Sequence, residues 1–312
     1  MRDVRLEVVH RSMLFMPVNV PRFLESAWRR EADAVILDLE DSIPPAKKEE
    51  ARGRVRGALP LAARGGAEAF VRVNNHSDHL AADLDASVWP GLAGVQFPKP
   101  ADPDEMRALC AALDRLEAER GLPAGSVQVT SSVESARAFL RAREIAEACP
   151  RLVGFGVSSE DLSLDLGFEP TDAGEEMTYA KQRIVIVCRA VGVQPRGLSG
   201  TLSNFGDLGA LRASAERSAA RGFMGASCIH PAQVPVLNAA FSLPPERVER
   251  ARRIVEGARE AEARGTASFE MEGRMVDIPV VLRAERLLAR AEVIARREAE
   301  KRAAREKAEA EG

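Results

Sequence analysis

AVILDLEDS, residues 34–42, runs four apolar side chains together and then ends in Asp38, Glu40 and Asp41. A short continuous apolar run with acids at its end reads as a buried strand of a parallel sheet whose carboxyl terminus opens on something polar. The pattern recurs along the chain. FVRVNN (70–75) carries Arg72 and Asn74, and GVQFPKP (94–100) delivers Lys99. SVQVTSSVES (126–135) leads to Glu134, LVGFGVSSED (152–161) ends in Glu160 and Asp161, and GASCIHP (225–231) ends in His230. A parallel barrel keeps its active site at the carboxyl ends of its strands, because the strand-to-helix loops all open on that face. Scattered surface charge would not follow strand ends so regularly, and the pattern points to an enzyme.

Working outward, strands are expected near 12–17, 34–38, 69–73, 94–98, 126–131, 152–156, 198–202 and 226–229, eight in all. The seventh rests on GLSGTLSNFG, which is rich in Gly and Ser. Between the runs lie PRFLESAWRREA, PDEMRALCAALDRLEAERG, SARAFLRAREIAEA and LGALRASAERSAARG, with apolar residues at helical spacing. The second and fourth stop at glycine, a common helix end. The fold expected is α/β: a (β/α)8 TIM barrel over residues 1–243. A C-terminal helical extension follows over 244–312. Its last part is nearly all Ala, Arg, Glu and Lys, so it is expected to fray in solvent or to pack against another subunit.

The bulk numbers narrow the class. A chain of 312 residues with 46% apolar content suits one large domain with an appendage. A net charge of −3 argues against a general nucleic-acid binder or a polybasic membrane protein. No apolar run reaches the roughly 20 residues of a membrane helix. MRDVRLEVVHRSMLFMPV has no signal-peptide pattern, so a cytoplasmic protein is expected. Cys110, Cys149, Cys188 and Cys228 are widely spaced, without a CxxC pair, and read as buried reduced thiols.

Glu134 and Asp161 stand just past neighbouring strands, so their carboxylates can converge. Hard oxygen ligands in small number suit Mg2+, with water or substrate completing the shell. Solvated-surface roles compete, and Asp161 precedes a helix-like stretch that it could cap. Arg72 sits among apolar residues and needs a partner. It either pairs internally with Asp38, Glu40 and Asp41 or offers a planar fork to a substrate carboxylate or enolate. Lys99, held between two prolines, either binds phosphate or carboxylate or is simply solvated. His230 beside Pro231 is an acid–base candidate or a histidine satisfied by backbone. No P-loop, dinucleotide-binding turn or nucleophile elbow is present.

Taken together, RSMLFMPVNVPRF, AVILDLEDSIPPAKKEEAR, VRVN, FPKP, VES, GFGVSSEDLSLDLG, GFMGASCIHPAQV and GRMVDIPVV resemble, in order, the citrate lyase β-subunit-like group. That group belongs to the HpcH/HpaI aldolase superfamily and includes malyl-CoA, β-methylmalyl-CoA and citramalyl-CoA lyases. The resemblance covers roughly residues 11–290. It implies a (β/α)8 barrel, a Mg2+ ion and a homo-oligomer, often a trimer or hexamer. By motif match it implies Glu134 and Asp161 as metal ligands, with Glu134 also at the substrate. Arg72 is implied at the substrate carboxylate and enolate oxygen, with Asp38, Glu40, Asp41 and Lys99 in support. Asp277 of GRMVDIP resembles an acid–base aspartate delivered into a neighbouring subunit's site. The chain departs from the family at Val18 after Pro17, at Ala226, and in PRGLSGTLSNFG (195–206), which bears on acyl-group specificity.

The reaction implied is cleavage or condensation of a small β-hydroxyacyl-CoA, with a CoA thioester and a keto acid as partners. A thioesterase on the same scaffold, a subunit that only binds a thioester, and an aldolase of free pyruvate-like acids are the rival readings.

Overall fold

The computed structural model describes residues 7–75, 77–171, 173–200 and 206–311. Eight strands form one parallel sheet: β1 (Ser12–Pro17), β2 (Ala34–Asp38), β3 (Glu68–Arg72), β4 (Gly94–Phe97), β5 (Gln128–Val133), β6 (Leu152–Val157), β7 (Gln194–Arg196) and β8 (Ala226–Cys228). Their spatial order is the chain order, with β8 returning to the edge of β1. Backbone bonds from Gly197 N to Gly225 O (2.9 Å) and from Met224 N to Pro195 O (2.9 Å) draw β7 against the approach to β8. The eight strands with their surrounding helices make a nearly closed (β/α)8 barrel, as expected from the sequence.

Strands form where the apolar runs lie, because a strand covered on both faces needs few polar side chains. Val35 and Leu37 join the core beneath the helices, while Ala34 and Ile36 face inward with Met13 and Phe70. The interior is therefore apolar on the β1–β3 side. On the β4–β8 side it is polar, with Gln96, Thr130, Gln194 and Arg196 all buried.

The seventh strand departs from expectation. It is the three residues Gln194–Arg196, not 198–202; residues 198–200 are irregular, and 201 and 202 lie outside the described residues. QPR has no apolar run to betray it. Its proline cannot donate to a ladder, which suits a strand whose second neighbour is held by only a few bonds.

The chain divides into two compact units, one comprising His10–Phe241 with the end of the chain from Lys301, the other centred on Ser242–Glu300. In the second unit the helix Pro245–Ala263 is followed by the antiparallel pair β9 (Phe269–Met271) and β10 (Arg274–Val276). Glu272 and Gly273, both at positive φ, make the two-residue turn. This hairpin was not visible in the sequence reading. The helix Ile278–Ala310 then runs 33 residues.

Its last turns do not lack anchors. Lys301 is fully buried, and its Nζ donates to Asp33 Oδ1 (2.6 Å) and Glu31 O (2.9 Å). Burial pushes Asp33 up, but Arg11 and Lys301 outweigh it and hold the carboxyl well below the usual range. The tail thus closes onto its own barrel through a buried lysine, an anchor that its polar composition concealed. Among the described residues, no helix is long and apolar enough to cross a membrane.

Candidate active site

The carboxyl ends of the strands carry the polar side chains. Asp38 ends β2, and its carboxylate accepts from Glu40 N (2.9 Å) and Ser42 N (3.1 Å), folding the following loop back over the strand. Arg72 ends β3 directly beside it in register. Its Nε and Nη2 each donate to Asp38 at 2.7 Å, a two-pronged pair, and its Nη1 lies 2.8 Å from Glu40 and 3.2 Å from Asp41. The guanidinium also stacks over Phe15 of β1, 4.7 Å from the ring centroid. Both readings of Arg72 meet here: it is paired with all three acids, and it lines the cavity described below.

Behind this cluster, buried Lys48 donates to Leu39 O, Glu40 O and Asn74 Oδ1, tying the β2 loop to the end of β3. Asn74 in turn donates to Asp83. Asn74 thus supports the rim rather than facing the cavity.

Lys99 follows β4 at φ 51°, in the left-handed region. It is neither free nor simply solvated. Its Nζ donates to Glu40 Oε1 (2.9 Å) and lies 3.8 Å from Asp161 Oδ1, bridging the two sides of the mouth. Burial pulls the ammonium down, but the hydrogen bond and charge of Glu40 more than reverse this and hold Lys99 protonated.

Glu134 stands one residue past β5, where Ser135 caps the next helix through Ala138 N (3.3 Å). Asp161 lies in the first turn of the helix Ser159–Leu166, and its carboxylate accepts from Ser158 Oγ (2.6 Å). The two carboxyls share a hydrogen bond. Burial first, and then the charge of Asp161, push Glu134 up to about 8. Burial also pushes on Asp161, but the bonds from Ser158 and Glu134, helped by Lys99, hold it low. Of the two, Glu134 is the carboxyl that holds its proton more strongly.

That arrangement fits a divalent cation. Two converging carboxylates that cannot both ionise unaided present a hard, all-oxygen donor set, and a cation in place of the shared proton would relieve their repulsion. Among the described residues, no group of three His, Cys, Asp or Glu side chains could hold a metal ion, so water and substrate would complete the shell.

A cavity of about 230 Å³ opens here, lined by Arg72, Glu134 and Asp161 together with Phe15, Gln96, Arg196 and Ser227. Phe15 also walls a second cavity of about 650 Å³ that includes Pro17, Arg29, Arg30 and His230. His230 Nδ1 accepts from Ala232 N (3.2 Å), in keeping with a histidine satisfied by backbone. All four cysteines are buried thiols, and burial pushes Cys228 up to about 12, an inert thiol. Asp277 lies in the second unit, half-buried between β10 and the long helix. Its backbone oxygen accepts from Val280 N and Val281 N.

The sequence reading missed Phe15 and Arg196. Phe15 carried no signal beyond apolarity. Arg196 was hidden by the misplaced seventh strand; alternation along 194–196 puts it inside the barrel with Gln194.

An eight-stranded barrel whose carboxyl mouth gathers a proton-sharing carboxylate pair, a clamped guanidinium and a small cavity defines an enzyme. The family described as HpcH/HpaI aldolase/citrate lyase matches residues 11–231, and the chain belongs to it. A citrate lyase subunit beta from Leuconostoc mesenteroides subsp. cremoris is 31% identical over 283 residues, 90% of this chain and 93% of that protein. An L-malyl-CoA/beta-methylmalyl-CoA lyase from Cereibacter sphaeroides is 30% identical over 91% of this chain and 95% of its own length. CitE from Mycobacterium tuberculosis, solved with magnesium, acetoacetate and coenzyme A, superposes with a TM-score of 0.69 at 29% identity, covering 92% of this chain and 99% of that one.

Proposed function

We propose that this chain is a Mg2+-dependent carbon–carbon lyase of small β-hydroxyacyl-CoA thioesters such as malyl-CoA or citramalyl-CoA. We take it to act as a cytoplasmic homo-oligomer, a trimer or hexamer. The observation that carries this reading is the convergence of the Glu134 and Asp161 carboxyls at the wall of a cavity that Arg72 also lines. The kinship with lyases of this class, and the magnesium and coenzyme A bound by the M. tuberculosis protein, support it.

Bound between Glu134 and Asp161, Mg2+ would supply a Lewis acid that lowers the pKa of the substrate hydroxyl. The chain's own side chains do the rest. Glu134, buried and relieved of its proton, orients the hydroxy-acid end. As the hydroxyl gives up its proton to bulk water and becomes the oxo group, the carbon–carbon bond breaks, its electron pair moves onto the thioester and negative charge gathers on the enolate oxygen. Arg72, held at the cavity wall by Asp38, would stabilise that charge through its guanidinium with little reorganisation. Asp277 of a second copy would return a proton to the enolate carbon in cleavage and remove it in condensation. The larger cavity beyond Phe15, with Arg29 and Arg30 on its wall, suits a phosphorylated thioester carrier.

The test is incubation of the purified protein with malyl-CoA, citramalyl-CoA and citryl-CoA, with Mg2+ or EDTA, resolving products by mass spectrometry. The expected result is acetyl-CoA with the matching oxo acid, lost in EDTA. Free CoA with intact hydroxy acid would instead establish a thioesterase, and no turnover of any of the three would overturn the reading.

A further inference from the structure

Two of the cysteines lie far apart in sequence and touch in the fold, and the reaction as derived uses neither. Cys110 sits on the helix Pro103–Glu119, and Cys149 on the short segment that leads into β6. Their sulfurs stand 2.7 Å apart although 39 residues separate them. Helical spacing explains how they meet. Cys110, Asp114 and Glu117 share one face of their helix, and that face lies against the segment from Cys149 to Arg151. Arg151 Nη1 donates to Glu117 Oε1 (2.7 Å) and Val127 O (3.0 Å), while its Nη2 donates to both Asp114 and Glu117. Glu117 is held in turn, accepting from Gly125 N and Val127 N at 2.8 Å each. A buried ion pair, beginning one helical turn away, therefore keeps the two thiols in contact.

The two sulfurs are unequal. Cys110 is 8% exposed and Cys149 2%, whereas Cys188 and Cys228 are wholly enclosed. A small solute thus reaches Cys110 first. The hydrogen bond from Cys149, and then the positive charge of Arg151, hold Cys110 below its ordinary value against burial. The same hydrogen bond, with burial, pushes Cys149 up. One sulfur is suited to be a nucleophile, and its neighbour to be a thiol that follows it. A metal would need further ligands, and among the described residues no group of three His, Cys, Asp or Glu side chains could hold one.

We propose that Cys110 and Cys149 form a reversible disulfide when the protein meets a peroxide, stapling the helix Pro103–Glu119 to the foot of β6. The Cys110 thiolate attacks one peroxide oxygen, the O–O bond breaks, and the leaving hydroxide takes up the thiol's proton as water. Cys149 then attacks the sulfur of the resulting sulfenic acid. The S–S bond forms, the S–O bond breaks, and the oxygen departs with the Cys149 proton as a second water. Two electrons pass from the sulfur pair to the peroxide. The bridge lies at the amino end of β6, away from the carboxyl mouth, so its effect is on stability. It closes a long loop in the unfolded chain, which is where a cross-link acts most. In a reducing compartment such a bridge is transient and records oxidation.

The experiment exposes the full-length protein, reduced and then freed of reductant, to hydrogen peroxide. The reaction is quenched with catalase and the protein denatured in iodoacetamide. Intact mass should show all four cysteines alkylated before peroxide, two after it, and four again once dithiothreitol is added. Peptide mapping without reductant should find Cys110 joined to Cys149. The oxidised protein should melt about 5 °C above the reduced one, a shift absent from Cys110→Ala. Cys149→Ala should stop at a sulfenic acid on Cys110, captured by dimedone. The wild-type peptide map carries the test if either variant fails to fold. Four alkylated cysteines after peroxide, a bridge to Cys188 or Cys228, or oxidation of Cys110 with Cys149 still alkylated would each overturn the assignment. A Cys110–Cys149 bridge that leaves the melting temperature unmoved would overturn the staple.

Discussion

The two halves of the barrel mouth are built on opposite electrostatic terms. On the β2–β4 side, three acids meet two cations: Asp38 clamps Arg72 with two bonds of 2.7 Å, Glu40 lies between Arg72 and Lys99, and Lys48 ties the loop down from behind. On the β5–β8 side, like faces like. Glu134 faces Asp161 and is pushed up by burial and by that charge, and among the described residues Arg196 has no carboxylate partner. The first half is a finished structure that presents one oriented guanidinium. The second is incomplete as a protein and becomes complete with a cation, which is how a binding site differs from a salt-bridge cluster of similar composition. Lys99, 2.9 Å from Glu40 and 3.8 Å from Asp161, reaches across.

The sharpest break of this contrast is on the incomplete side. Glu134→Ala or Asp161→Ala should lower Mg2+-dependent turnover at least about a thousandfold, the loss of roughly 4 kcal/mol of transition-state stabilisation. The melting temperature should change little, because the pair lines a cavity rather than the packed core. Steady-state assays over a Mg2+ series, with circular-dichroism melts alongside, check both halves of this. Full activity in either variant would sink the metal assignment.

The finished side should behave the other way. Asp38→Ala strips Arg72 of its two-pronged partner and leaves two loop amides without an acceptor. It should cost about 3 kcal/mol of folding stability, as breaking a mostly buried ion pair does, readable as a lower urea midpoint. Asp38 also gives this half an acid limit. Burial pushes its carboxyl up, but the bonds and charge of Arg72 prevail and hold it below its ordinary value. The stability it contributes is therefore present above the unfolded carboxylate range and lost as pH falls through the lowered value. Wild type and Asp38→Ala should converge in stability in strong acid.

How much of this the sequence disclosed follows the same division. Strands β1 to β6 and β8 were legible because a doubly covered parallel strand must be an apolar run, and AVILD or LVGFGV cannot easily be anything else. Glu134 and Asp161 were legible as a pair because consecutive strands of a barrel are neighbours, so residues just past β5 and β6 meet. The partners of Arg72 were legible because an arginine inside FVRVNN must be neutralised, and the acids ending the adjacent strand were at hand. Arg196 was not. Its strand is three residues long with a proline at the centre and no hydrophobic signature, and the Gly–Ser stretch after it drew the assignment downstream. Lys301 was missed for a related reason: in a tail of Ala, Arg, Glu and Lys, nothing local marks the one lysine that reaches a buried aspartate 268 residues earlier. Both signals depend on tertiary partners, which no window of sequence contains.

The remaining variant is the most discriminating. Glu134→Gln keeps the size of the side chain and its hydrogen bond to Asp161 but removes the titration. In the wild type without metal, Glu134 titrates near 8 when folded, against an ordinary value of 4.5. Between those values the folded state holds a proton that the unfolded chain has released, so stability must fall as pH rises through that window. The glutamine variant has no such proton to retain. It should match the wild type near pH 4, exceed it by about 3 kcal/mol at pH 7, and reach a somewhat larger, constant margin above pH 8. Adding Mg2+ should then raise the wild-type melting temperature and leave the variant unmoved, since only a ligand that binds the folded state stabilises it. A variant no more stable than wild type at pH 7 in EDTA would mean that Glu134 and Asp161 do not repel, and the contrast between the two halves of the mouth would reduce to Arg196 alone.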